Sequence, residues 1–460
     1  MKPSESLIFK KDYQVFVLLL AAQIALLWAI YRGFTDPFAI LIIMGVAGIV
    51  AFVMTVNFEI ASYLFIISFM FDQDLTASMR IRVADLIAAL LVLNFFLKTV
   101  VTREIRITKT PLDSLILMFL GVLGISLINA KSLAFGTINY LRHIELFLVM
   151  YALCHCLSVD MFKRLLFLFL VIVSTNAFLS NIIFISAGGG FRSFGAAGNE
   201  FTDMVVPASF IAYAFSFFET NRKKKVILSL MVLNLVFALF ATGTRGAMFS
   251  WAIGFALTNL ALLFHGGLSK RRIITLGIVI PVLLGFLALQ FGYTTSHGVM
   301  SPYKGYVDTV DFRFALWYLA LKSFLAHPIL GIGLNQFMHI EEVFPSIKFS
   351  VIYPYIKGLD AHSVVLNFAA NTGILGLTLL FFLFFKIVKL GWRTYERHKW
   401  TSLAPLTLSL TLVLTYIVYS SFYAGSWFWS LNGFEFMFFL AMMLRIRKDL
   451  NPNNAIRTLK

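Results

Sequence analysis

Three residues in this 460-residue chain have the type and setting for proton and phosphate chemistry. His362 lies in Asp360-Ala361-His362-Ser363, immediately ahead of a long apolar stretch. An imidazole titrates near neutral pH and suits removal of a proton from an incoming hydroxyl. Arg245 lies in Thr242-Gly243-Thr244-Arg245-Gly246, between two apolar stretches with almost no room for a loop. Arg313 opens Arg313-Phe314-Ala315-Leu316-Trp317, and a further arginine, Arg192, sits in the glycine-rich run Gly188-Gly189-Gly190-Phe191-Arg192-Ser193-Phe194-Gly195. Guanidinium forks grip a diphosphate bidentately. The plainer reading of each arginine is an interface anchor snorkelling to lipid headgroups. A lone histidine, likewise, is more often an interfacial polar group than a base. It is the set, two arginines and a histidine, that points to chemistry.

A competing constellation is Asp72-Gln73-Asp74, which resembles the paired acids with which some membrane glycosyltransferases hold a divalent metal. Short matches of this kind arise by chance, and Arg80 and Arg82 nearby favour a salt-bridged loop instead. Cys154 and Cys156 flank His155 inside an apolar run, with too few ligands for a disulfide framework or zinc site, and read as packing. Glu435, within an apolar stretch, reads as a hydrogen-bonded structural group. His297, His339 and His398 read as loop residues and His327 as a helix end.

The elements that must position these residues are dictated by composition. Hydrophobic residues make up 60% of the chain and charged ones 13%, against about 25% in soluble proteins. Apolar runs follow one another at lengths near the ~20 residues that cross a hydrocarbon core. Backbone groups in lipid must be satisfied internally, so the spans are helical. The expected fold is an all-α polytopic integral membrane protein of about 12–14 transmembrane helices, a single membrane domain over 1–460. Its expected spans are 14–31, 37–56, 59–72, 83–98, 112–128, 140–157, 163–186, 203–219, 225–241, 247–265, 272–291, 363–388, 402–421 and 428–444. The net charge of +16 does not imply nucleic acid, because the basic residues fall in short clusters between apolar runs. With both termini cytoplasmic, 26 of the 38 Lys and Arg residues fall inside, including Arg222-Lys223-Lys224-Lys225 and Lys270-Arg271-Arg272. Arg192, Arg245, Arg313 and His362 then lie outside, where the arginines oppose the positive-inside rule. Charge held near membrane depth is a functional hypothesis by default.

The long external segment, 292–361, is expected to carry short amphipathic helices. Residues 311–322 have helical spacing, with Arg313, Trp317, Ala320, Leu321 and Phe324 on one face and Asp308 or Asp311 as cap. The helix should end at His327-Pro328 and lie on the bilayer surface. Its first turn should bring Arg313 and free backbone N–H groups together for phosphate.

Three segments resemble the superfamily of O-antigen ligases and O-antigen polymerases, bacterial envelope enzymes. They are Gly243-Thr244-Arg245-Gly246-Ala247; Arg313-Phe314-Ala315-Leu316-Trp317 leading to His327-Pro328-Ile329-Leu330-Gly331-Ile332-Gly333-Leu334-Asn335-Gln336-Phe337; and Ala361-His362-Ser363-Val364-Val365-Leu366 running into Gly373-Ile374-Leu375-Gly376. The resemblance covers about 240–380, and Arg192 resembles a looser family element. It departs from the family pattern at Ser363, where Asn is usual. The resemblance implies metal-independent, inverting transfer from an undecaprenyl-diphosphate-linked glycan, without a cofactor. Arg245, Arg313 and Arg192 would bind the diphosphate, and His362 would activate the acceptor hydroxyl of a glycan or lipid A-core. The enzyme would sit in the bacterial inner membrane with its active site periplasmic. Two rivals stand beside this reading. A flippase for lipid-linked sugars would carry charge along the middle of several helices and show two related halves. A metal-dependent glycosyltransferase using Asp72 and Asp74 would lose activity with a chelator.

Overall fold

A computed structural model describes residues 57–69, 82–103, 107–187, 201–264, 309–349, 353–422 and 431–449, with single positions at 48, 54, 55 and 105. Regular secondary structure among these residues is helical: α1 (Phe58–Ser68), α2 (Val83–Phe96), α3 (Asp113–Ser126), α4 (Leu133–Cys156), α5 (Val159–Ser186), α6 (Phe201–Phe218), α7 (Arg222–Ala241), α8 (Arg245–Phe264), α9 (Thr309–Ala326), α10 (Val364–His398), α11 (Ala404–Ser420) and α12 (Leu431–Asp449). Among them α2 with its following turn, α5, α6, α7 and α10 are long and apolar enough to cross a membrane by themselves. The chain is an all-helical, multi-pass membrane protein. The expected spans 14–31 and 272–291, and nearly all of 37–56, lie outside the described residues.

Side-chain oxygens set several helix starts. Ser158 accepts from the Met161 N–H at 3.1 Å, and Asn221 accepts from the Lys223 and Lys224 N–H groups. Burial divides the helices into centre and rim. In α12 every side chain from Phe436 to Met443 is fully buried, and α12 packs against α4, α5, α10 and α11. A helix apolar on all sides belongs at the centre of a bundle. On α7, Val226, Ile227, Leu230, Leu233 and Phe237 are exposed, a rim fit for lipid. Cys154 and Cys156 are not joined in a disulfide, and His155 between them bonds backbone, with its Nδ1 2.9 Å from the Tyr151 carbonyl and its Nε2 3.1 Å from the Thr108 N–H.

Two boundaries differ from the expectation. Helix α4 starts at Leu133, seven residues early, because Leu133 and Phe135 extend the apolar run. Helix α10 continues to His398, so the cations Lys389, Arg393 and Arg397 ride on helix rather than loop. The reason is a buried stripe at helical spacing, Leu383, Ile387, Leu390, Thr394 and His398, that carries the helix past its apolar part.

Helix α10 is also broken. Gly373 has φ +63° and ψ −160°, a conformation essentially confined to glycine. At the break the segment after α9 docks by backbone hydrogen bonds. The Ile332 N–H donates to the Ala370 carbonyl (2.9 Å), Gly333 N–H to Asn371 (3.0 Å), and Ile374 N–H to Pro328 (2.8 Å). A Cβ at Gly373 would strike the Ile329 carbonyl, and one at Gly331 the backbone of Asn371 and Thr372. The two glycine motifs of the sequence are the two halves of one interlock. The α3–α4 connection joins it, with Asn129 donating to the Gly331 carbonyl (2.8 Å) and Gln336 exchanging hydrogen bonds with the Ser132 backbone.

Candidate active site at the start of helix α10

His362 stands one residue before the α10 cap. Ser363 is that cap, its Oγ accepting from the Leu366 N–H at 3.3 Å. His362 itself has φ +46°, a left-handed conformation seldom adopted by a residue with a side chain. What holds the corner is Asp360, whose Oδ1 accepts the His362 backbone N–H at 2.8 Å. The same oxygen lies 3.6 Å from the His362 Nδ1. The imidazole is partly open, with 39% of its side chain exposed.

Helix α9 supplies Arg313, whose charge acts on His362. It packs along α10, and its buried side chains Leu316, Leu319 and Ala320 form a small core with Ile332, Phe337, Ile340, Ile347, Ile356 and Ala361. The face expected for Arg313, Trp317, Ala320, Leu321 and Phe324 is split by this packing. Ala320 is buried, whereas Leu321 joins Phe314, Tyr318 and Leu325 in an exposed apolar stripe. The helix ends at Ala326, as His327-Pro328 foretold, but begins at Thr309. Asp311 therefore sits inside its first turn rather than capping it, and Arg313 starts the second turn. Arg313 acts on His362 through its side-chain charge. Asp308 lies outside the described residues.

Burial lowers the His362 pKa below its ordinary value; the Asp360 carboxylate raises it and the Arg313 guanidinium lowers it further. The lowered pKa favours the neutral imidazole, the state a proton acceptor needs.

Arg245 is the first residue of α8. It follows a tight turn in which Gly243 has φ +61° and donates to the Phe240 carbonyl at 3.0 Å, while Thr242 Oγ1 accepts from the Thr244 N–H. Short hydrogen-bonded steps link this helix to the start of α10. The Tyr419 hydroxyl of α11 donates to the Ser250 carbonyl of α8, and two residues later the Ser421 carbonyl accepts from the Val365 N–H at 3.2 Å. The ends of α8, α10 and α11 converge. Arg192 lies outside the described residues, as do Asp72 and Asp74.

Two polar features escaped the sequence reading because their members lie far apart in the chain. On α6, Asp203 accepts from the Asn432 side chain of α12 at 2.7 Å and from the Tyr416 hydroxyl of α11 at 3.5 Å, with the fully buried Glu435 one turn beyond Asn432. Between α2 and α4 a cleft of about 510 Å³ has aliphatic walls and three charged residues, Asp85, Arg142 and Glu145; Arg142 lies 3.9 Å from Asp85. Only alternation of charge with apolar spacing on two separate spans could have signalled it.

Residues 229–381 match the family model described as O-antigen ligase. A comparison with curated proteins finds no match. The matched stretch takes in Arg245, Arg313, the interlocked glycine motifs and His362. The chain thus carries a segment, residues 229–381, that is similar to the O-antigen ligase family.

Proposed function

From an O-antigen ligase family segment that contains every described site residue, we propose that the protein moves an undecaprenyl-diphosphate-linked glycan to an acceptor hydroxyl at the periplasmic face of the bacterial inner membrane. The observation that carries the reading is the partly open His362, held in a left-handed corner at the mouth of a broken helix by Asp360. In the reaction the acceptor O–H gives its proton to the imidazole as its oxygen attacks the anomeric carbon of the donor. The bond from that carbon to the diphosphate breaks on the opposite face, and the diphosphate leaves with the electron pair. The configuration inverts. Negative charge grows on phosphate oxygens, where Arg313, Arg245 and Arg192 stabilise the transition state more than the bound donor. Fixed guanidinium groups supply the charge that a divalent ion would otherwise provide. The acceptor hydroxyl belongs to a growing glycan or to lipid A-core, a polymerase or a ligase outcome of one chemistry. Both termini are cytoplasmic in this scheme.

The test is a glycan assay in membranes carrying His362→Ala, with protein level followed by blot. Loss of a general base costs about 10²–10⁴-fold, so the glycan ladder should vanish while lipid-linked donor accumulates. A ladder of normal length and amount would remove His362 from the chemistry. Activity that disappears with a chelator would instead favour Asp72 and Asp74, and donor retained on the cytoplasmic leaflet would favour a flippase.

A further inference from the structure

We propose that Asp360 is a positioning residue for His362, fixing both the corner of the backbone and the orientation of the ring, so that Nδ1 carries its proton toward the carboxylate and Nε2 faces the acceptor. The inference rests on the proposed role of His362 as base. Two contacts from one carboxylate oxygen carry it. The 2.8 Å bond to the His362 N–H stabilises a backbone conformation that costs a residue with a side chain of order 1–3 kcal/mol. The 3.6 Å approach to Nδ1 is outside ordinary hydrogen-bond range but within reach once substrate closes the site. In this left-handed turn one carboxylate oxygen bonds the His362 N–H and also approaches its Nδ1, so a neighbour in sequence is placed to orient the ring.

The charges acting on His362 include Asp360, which favours the imidazolium, and Arg313 from α9, which opposes it. As the histidine takes a proton during reaction, the carboxylate stabilises the cation that forms, while Arg313 is engaged by the leaving phosphates. This division explains why an acid sits at a site otherwise built for anions.

The experiment compares Asp360→Asn, Asp360→Ala, Asp360→Glu and His362→Ala, purified at equal protein, in turnover of a lipid-linked donor across pH. Asparagine keeps an oxygen for the backbone N–H and loses the charge. Asp360→Asn should fold as the parent does, lose roughly 10²-fold or more in kcat with donor KM little changed, and move the acidic limb of the pH profile to lower pH, because the imidazolium loses its counter-charge. Asp360→Glu should recover part of the rate and return the limb toward its original position. An Asp360→Asn protein with the parental kcat and pH limb would overturn the inference, as would an effect confined to thermal stability. Either result with an inactive His362→Ala leaves the proposed base intact. Full activity in His362→Ala would remove the base itself, and the positioning role with it.

Discussion

Helices α10 and α12 are built in opposite manners. Helix α12 is continuous, and eight successive side chains from Phe436 to Met443 are fully buried. Helix α10 is broken at Gly373, and the backbone groups freed there are taken up by residues 328–333. An unpaired N–H or carbonyl in lipid costs several kcal/mol, so a break is tolerated only where protein supplies partners. The difference teaches where shape is bought with packing and where with directed hydrogen bonds. Packing tolerates many sequences; the interlock admits glycine at Gly331 and Gly373 and little else. The directed region lies on the helix that His362 precedes.

Substitutions on the two helices sharpen this contrast. The largest effect belongs to the charge that α9 lays beside the broken helix. Arg313→Gln should lower turnover by roughly 10²–10³-fold, the scale of one lost oxyanion donor, with an unchanged thermal midpoint. It should also shift the acidic limb upward, because the neutral glutamine no longer opposes the imidazolium. An unmoved limb would show that Arg313 does not act on His362. Next in size is Gly373→Ala, which adds a strained backbone conformation to a collision with the Ile329 carbonyl. A loss of more than about 3 kcal/mol, read as the midpoint of thermal unfolding in detergent, is expected. The reverse exchange in the continuous helix, Ala441→Gly, should cost only about 1 kcal/mol and spare turnover. Equal costs for the two exchanges would end the distinction between the helices.

Much of the bundle was legible because the hydrophobic period and run length are local properties. The ends of α5, α6, α7 and α11 fall within a few residues of the expected spans for that reason. The motifs Gly331-Ile332-Gly333 and Gly373-Ile374-Leu375-Gly376 could be picked out as unusual, but not as partners. Their pairing is a long-range contact, and nothing in either motif points to the other. The same limit hid the cleft at Asp85 and Arg142 and the contact of Asp203 with Asn432. His362 was found through its neighbours in sequence, yet its left-handed corner was not. That conformation follows from a hydrogen bond to Asp360 and not from any propensity of histidine. On α9 the burial of Ala320 and the exposure of Leu321 were not legible, because helical spacing gives the sides of a helix but not which side finds a partner.

The clasp between the α3–α4 connection and the α9–α10 segment has a consequence in time. Asn129 meets Gly331 across 202 residues, and Ser132 meets Gln336 across 204. The last of the clasp, the broken turn at Gly373, is made later still. A chain inserted from its N-terminus therefore completes most of its spans before the corner at His362 has anything to rest on. The surroundings of His362 are therefore incomplete through most of synthesis, until the strap and the broken helix close on a loop made in the first third of the chain.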